Sequence, residues 1–107
     1  MDENKPVIRL FFAKMKKAFI ELPEEEKIAF MSKDRKNLDE LGMEAVEMVN
    51  CGWSNEEWDY IGIEKWPNMD AIKKREIFEN NELEISKYVD SKIILGTPES
   101  FTDYGKE

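Results

Sequence analysis

A change from strand spacing to helix spacing lies within residues 58–72, WDYIGIEKWPNMDAI. Before Pro67, aliphatic side chains alternate with aromatic side chains and a carboxylate, which is the period of a β-strand. Ile61 and Ile63 therefore share one predicted face, and the other face carries aromatic residues and one acid, namely Trp58, Tyr60, Glu64 and Trp66. Proline cannot continue a sheet ladder, and Asn68 behind it is a favourable helix N-cap. The segment thus predicts a strand over 58–66 joined to a helix over 69–80.

The rest of the chain predicts three more strands and one more helix. The helix, over 24–41, begins with acidic residues behind Pro23 and ends before Gly42, which suits a left-handed C-cap. Segments 14–22 and 81–87 are left open between helical turn and loop. The strands are rich in β-branched or aromatic residues and span 7–13, 44–51 and 88–96.

The resulting order is strand, helix, strand, strand, helix, strand. This order predicts an α+β, ferredoxin-like βαββαβ fold, with one antiparallel sheet and both helices on one of its faces. A chain of 107 residues has the length of one domain, so 1–107 is interpreted as a single domain with a polar C-terminal tail at 97–107.

Composition excludes several function classes. The formal net charge of −8 argues against nucleic acid or an anionic membrane as a partner, since both require a basic surface. The chain has no histidine and one cysteine, Cys51, which removes imidazole metal ligands, haem ligation by histidine and nucleophile pairs that need a histidine. The sequence therefore predicts no metal and no cofactor.

Localisation is predicted from three features. The single cysteine cannot form an internal disulfide and fits a reducing compartment. No apolar run approaches the ~18 residues of a membrane span. Residues 1–4, MDEN, are acidic, unlike the basic start of a signal peptide. Together these features predict a cytoplasmic protein.

The predicted fold covers only one face of the sheet with helices. A small domain whose other sheet face remained in contact with solvent would expose a large apolar patch. A second copy of the sheet is the simplest cover, so we expect a homodimer that buries the face carrying Tyr60 and Trp66.

A family resemblance rests on element order, chain size and two short segments, Glu64-Lys65-Trp66 and Asp70-Ala71-Ile72. In these features the chain resembles the dimeric α/β-barrel superfamily, which includes antibiotic-biosynthesis monooxygenases and the YCII-like proteins. The resemblance implies a dimeric α/β barrel with a cavity between the sheet and its covering elements. Where many members have a histidine one turn into the second helix, this chain has Arg75, and it lacks the His-Asp pair of the YCII-like proteins and the histidine of haem-degrading members.

Six residues are the candidate ligand-binding set: Arg9, Trp58, Tyr60, Glu64, Trp66 and Lys92. In one interpretation the aromatic residues line a cavity, Glu64 orients a ligand or abstracts a proton, and Lys92 holds an anionic group. In the other, the aromatic residues pack in an interface and Glu64 pairs with Arg9 on the neighbouring strand, while Lys92 forms an ion pair at a solvated rim or interface with Asp90.

Three functions follow from these interpretations. The first is a barrel that binds or transforms a small apolar or aromatic compound without a metal. The second is a structural or interaction module whose sheet face is only the dimer interface. The third is a regulator that binds a metabolite and leaves it unchanged.

Overall fold

The structure is a computed structural model, which describes residues 5–100, 102 and 104–106. The acidic start at 1–4 and parts of the predicted tail at 97–107 lie outside the described residues. The elements in chain order are β1 (Val7–Met15), α1 (Lys17–Ile20), α2 (Glu24–Glu40), β2 (Glu44–Asn50), β3 (Tyr60–Trp66), α3 (Met69–Asn81), α4 (Ile85–Tyr88) and β4 (Val89–Gly96).

The four strands form one antiparallel sheet in the order β2-β3-β1-β4. With α2 and α3 as the two connecting helices, this is the predicted α+β ferredoxin-like arrangement, and the prediction is confirmed. The two segments left open by the sequence each contain one short helix, α1 and α4. None of the helices in the described part of the chain is long and apolar enough to cross a membrane.

Local signals fix the ends of the two long helices. Gly42 adopts a left-handed φ of 80°, and the amides of Gly42 and Met43 donate to the carbonyls of Asp39 and Leu38. This is the Schellman arrangement, which requires a residue such as glycine at that φ. At the start of α3, the Asn68 side chain accepts a hydrogen bond from the Ala71 amide at 2.9 Å.

One apolar cluster joins both helices to the sheet. It contains Val7, Leu38, Trp66, Ala71 and Ile72, with Leu41, Met43 and Met69 packed against it. Trp66 is fully buried, so the end of β3 supplies the largest core side chain. Burial of an aromatic side chain of this size is among the largest single contributions to a small core.

The face predicted to be free of helices is the wrong one. By register, Tyr60, Glu64 and Trp66 lie on the side of the sheet that carries Arg9 and the helices, which we call the helix side. The alternation of the strand was correct, but the aliphatic face was taken to meet the helices. Glu64 lies on the face beneath the helices instead, because cationic side chains are buried with it.

The opposite face, which we call the open face, is mainly aliphatic. At its centre Leu10 of β1 pairs with Ile63 of β3 on one side and with Ile94 of β4 on the other. Ile8, Phe12 and Ile61 share this face by strand alternation. Ile94 is 43% exposed, so the described residues leave a substantial apolar surface uncovered.

Candidate functional site

The structure divides the six predicted site residues between the two faces. Arg9, Glu64 and Trp66 meet on the helix side, where all three are buried. Tyr60 shares that side through its pairing with Ala13 and is 39% exposed. The other two, Trp58 and Lys92, both contact Phe12 of the open face. No single cavity therefore joins the six residues.

Glu64 is held by two donors on its own side of the sheet. Its Oε1 accepts a hydrogen bond from Arg9 Nε at 2.6 Å and another from Trp66 Nε1 at 3.0 Å. Arg9 and Glu64 are directly opposite in the β1–β3 register, as predicted from strand adjacency. Both donors bind the same oxygen, so the pairing favours a structural role for Oε1.

The Arg9–Glu64 ion pair is linked to further charged and polar side chains on both long helices. Arg9 donates through both terminal nitrogens to Glu79 of α3, at 3.4 and 3.1 Å. Glu79 Oε2 also accepts from Arg75 Nε at 2.9 Å. Arg75 in turn donates to the Asn37 side chain at 2.9 Å and to the Asp34 carboxylate on α2. We call Arg9, Glu64, Glu79, Arg75 and Asp34 the buried network, although Asp34 at its outer end is partly exposed.

The charge state of Arg9 follows from these neighbours. Burial by itself lowers the pKa of the Arg9 guanidinium, but the Glu79 and Glu64 carboxylates outweigh that effect and raise its pKa above the ordinary value. Arg9 is thus a permanent cation, and it acts as a fixed counter-charge and not as a proton donor or acceptor.

Sequence reasoning missed Glu79 and the role of Arg75. A usable signal exists in the sequence, because residues 71, 72, 75 and 79 follow one helical stripe and all are buried. Arg75 and Glu79 also stand at i and i+4, the spacing at which opposite charges pair on a helix. Charged residues on an apolar stripe indicate that a counter-charge is buried beside them.

The second oxygen of Glu64 faces a different surrounding. Both of these donors reach Oε1, and no donor among the described residues reaches Oε2. Above Gly62, three groups converge: Glu64 Oε2, Met48 Cε and Phe11 Cβ lie 3.6, 3.7 and 3.9 Å from the position that a Cβ on Gly62 would take. The Glu64 side chain is 11% exposed, and no fully buried side-chain nitrogen or oxygen among the described residues lacks a hydrogen-bond partner, so solvent reaches Oε2.

The open face contains a shallow apolar depression of about 430 Å³. Its floor comes from all four strands and its rim from the segment after β4: Ile8, Leu10, Val46, Ile63, Ile94, Gly96, Thr97, Pro98 and Glu99. Next to it, the Trp58 and Phe12 rings pack at 5.6 Å between centroids, and Lys92 Nζ lies 5.7 Å from the Phe12 centroid. This neighbourhood combines apolar walls with one cation.

In the part of the chain that the structure describes, no three histidine, cysteine, aspartate or glutamate residues come together in a way that would hold a metal ion. The carboxylates of the buried network are bound by guanidinium groups instead.

Comparison with known proteins shows the fold and not the family. No family model and no curated protein matches the chain. Among solved structures, chlorite dismutase from Candidatus Nitrospira defluvii in complex with imidazole has a TM-score of 0.71 at 11% identity, over 92% of this chain and 42% of that chain. This chain therefore spans less than half the length of that chlorite dismutase chain.

A second solved structure is closer in length. It is a protein of unknown function from Rhodopseudomonas palustris, with a TM-score of 0.62 at 18% identity over 92% of this chain and 86% of that chain. At such identities the likeness establishes the ferredoxin-like α+β architecture. The comparisons do not confirm membership of the antibiotic-biosynthesis-monooxygenase or YCII-like families.

Proposed function

We propose that residues 1–107 form one domain that works as a homodimer and binds a small apolar or aromatic compound, without a metal or cofactor, between two open faces. The supporting observation is the aliphatic depression of about 430 Å³ on a sheet face that no helix among the described residues covers. Two such faces placed together make the dimeric α/β barrel that the family resemblance implies. The proposed location is the cytoplasm, in keeping with the single cysteine.

The size of the open face suits a subunit interface. At strand spacings of about 4.8 Å and about 3.3 Å per residue, four strands of seven residues outline about 450 Å² before side-chain relief is counted. The surface of the side chains adds to this flat area and brings the buried area toward the ~800 Å² per partner of a standard interface. The rim carries both signs of charge, with Lys92 and Asp90 on β4 and Glu47 on β2, so a second copy offers complementary charges.

Binding, and not turnover, is the activity that these residues support. The acid that was a candidate base, Glu64, lies on the helix side, and its Oε1 is engaged by Arg9 and Trp66. On the open face, Lys92 Nζ lies 5.7 Å from the centroid of the Phe12 ring, which packs against Trp58. A planar compound with an anionic substituent therefore matches the open face better than a cation does.

A purely structural module is the second candidate. It is favoured by the shallowness of the depression, because two interdigitating faces of isoleucine and leucine side chains can fill such a space completely. A regulator that binds a metabolite would use the same binding site as the first proposal. It differs from that proposal only in the effect that the bound ligand has.

The test uses 1-anilinonaphthalene-8-sulfonate, a planar apolar anion, as the probe. We expect light scattering to give twice the 12.6 kDa chain mass, and the probe to bind saturably and quench Trp58 emission. Trp58→Phe removes the quenching signal, and Lys92→Met weakens binding of the probe. A monomer at micromolar concentration contradicts the proposal, whereas a dimer without saturable binding supports the structural module.

A further inference from the structure

The two edges of the sheet differ in how well they are protected against pairing with another strand. At the β2 edge, the pairing with β3 is interrupted by a register shift between Ala45 and Glu47, and both charged residues of the strand, Glu44 and Glu47, are acidic. At the β4 edge, the pairing with β1 runs without a shift from Gly96 to Val89. A shift and repeated like charge both hinder the addition of a strand to an edge. The β4 edge is therefore the one that remains able to pair.

Apolar side chains of β4 are left uncovered on both sides of the sheet. Every residue of the strand after Val89 is exposed. On the helix side, Ile93 and Leu95 are 39% and 43% exposed, and on the open face Ile94 is exposed to the same degree. Exposed aliphatic residues on a long, regular edge strand favour the addition of a further strand.

We propose that β4 pairs with β4 of a second copy, antiparallel and about a twofold axis at Ser91, so that Asp90 of each copy lies opposite Lys92 of the other. We call this contact the β4 seam. The proposal rests on the homodimer of the proposed function and adds how its two copies are joined. The open faces turn toward each other, and the β4 seam closes one edge between them.

Twofold symmetry leaves few registers for the β4 seam. Opposite residues of an antiparallel pair must both direct their backbone groups toward the partner strand or both away from it. One residue must therefore lie opposite its own copy. An axis at Lys92 would place two lysines opposite each other, which is destabilising, and an axis at Ile93 would form no ion pair. An axis at Ser91 forms two Asp90–Lys92 pairs, so the charges select it.

Both charges are available to a second copy. Lys92 is in no ion pair among the described residues, and its Nζ lies 5.7 Å from the centroid of the Phe12 ring. Asp90 Oδ1 lies 3.5 Å from Lys16 Nζ, and the Asp90 side chain is 65% exposed, so the carboxylate can contact a second cation. In the proposed register Lys92 stays beside Phe12, where the β4 seam meets the open faces.

Disulfide formation tests the register, because only a residue that faces its own copy can be joined to it. Cys51→Ser first removes the single cysteine of the chain, and each variant then carries one new cysteine. Opposite residues of an antiparallel pair have Cα atoms about 4.5–5.5 Å apart, within the ~4.4–6.8 Å range of a disulfide. We expect Ser91→Cys to form covalent dimers in air with copper–phenanthroline. Ile93→Cys, on the same side of the strand, is the matched control. Its two copies would lie about 13 Å apart and should crosslink at least about tenfold more slowly.

Charge reversal tests the ion pairs independently. Asp90→Lys places like charges opposite each other at both pairs, and should weaken association about tenfold in sedimentation analysis. Adding Lys92→Asp to it restores opposite charges in the swapped order, and should return the dissociation constant to within about threefold of the parent value. Asp70→Lys, which loses a comparable exposed pair with Lys74 at 3.2 Å, is the matched control and should leave association unchanged.

The outcomes separate the β4 seam from the proposed function. A parent chain that is monomeric in light scattering contradicts both. A parent dimer contradicts the β4 seam alone if Ser91→Cys crosslinks no faster than Ile93→Cys, or if the double charge variant associates as weakly as Asp90→Lys. Selective crosslinking at Ser91 without saturable binding of 1-anilinonaphthalene-8-sulfonate supports the β4 seam and contradicts only the ligand-binding part of the proposed function. The charge series needs no cysteine variant, so it decides the question even if one of those does not fold.

Discussion

The two faces of the sheet differ in the kind of side chain that they carry and in what covers it. On the helix side, β1 and β3 bury Arg9 and Glu64, and the Arg9 guanidinium pairs with both Glu64 and Glu79. On the open face, the same two strands present Leu10 and Ile63, and no helix in the described part of the chain covers them. A buried charge is tolerated only when its partners come with it, whereas an aliphatic face is satisfied by any apolar cover. The charged groups of the helix side are therefore paired within the chain, and the open face is the one that we propose another molecule covers.

The largest expected effect comes from removing the cation at the centre of the buried network. Arg9→Met keeps the aliphatic stem but leaves Glu64 and Glu79 without their shared counter-charge. We expect the free energy of unfolding to fall by about 3–5 kcal/mol, the usual cost of stranding a buried charge. Urea denaturation at fixed protein concentration measures it, with the exposed Arg35→Met as the control that should change stability by less than about 0.5 kcal/mol.

The effect of Arg9 should not depend on pH in the neutral and mildly alkaline range. Because its pKa is raised in the folded state, the stabilisation from protonated Arg9 is fully present below its unfolded pKa and is lost only as the pH rises through the higher folded pKa. The stability difference between parent and Arg9→Met should therefore be constant from about pH 7 to about pH 10. A difference that disappears within that interval contradicts the assignment of Arg9 as a fixed cation.

A charge on the open face should act on association and leave the fold intact. Ile63→Asp places a carboxylate at the centre of the proposed interface, between Leu10 and the β2 strand. We expect dimerisation to weaken by about a hundredfold or more, near 2.7 kcal/mol, because the carboxylate cannot be desolvated without a partner. Sedimentation analysis measures it. Ile77→Asp, an exposed position on α3, should leave the association unchanged.

The two acids of the buried network should differ in importance. Glu64→Gln keeps an acceptor for Trp66, and Arg9 retains Glu79, so a loss of about 1–3 kcal/mol is expected. Glu79→Gln removes the charge that both Arg9 and Arg75 contact, and should cost more than Glu64→Gln. Thermal and urea denaturation rank the two variants. A larger loss for Glu64→Gln than for Glu79→Gln would mean that the Arg9–Glu64 pair on the sheet, and not the contacts of Glu79 on α3, contributes most to the stability of the buried network.

The fold was predictable because its signals are local. Strand alternation, the Asn68 cap and the Gly42 turn each lie within a few residues, and all three are seen in the structure. The pairing of Arg9 with Glu64 also followed from the strand order. The choice of covered face did not, because alternation defines two faces without saying which one meets the helices. That choice depends on Glu79, which lies 70 residues from Arg9 and becomes its partner only after folding.

The smallest expected effect concerns α3, the helix that carries two of the five residues of the buried network. Asn68 caps α3 by accepting from the Ala71 amide, and α3 brings Arg75 and Glu79 over the sheet. Asn68→Ala leaves that amide without its acceptor and should cost about 1 kcal/mol in the free energy of unfolding. Asn68→Asp keeps an acceptor and adds a negative charge at the helix start, so it should match the parent or exceed it slightly. Because the cap lies outside the open face, neither variant should alter the dimer mass in light scattering. The contrary result would be weaker association of Asn68→Ala while the free energy of unfolding stayed at the parent value. That result would show that the open face and the helix side are coupled, and it would contradict the assignment of separate roles to them.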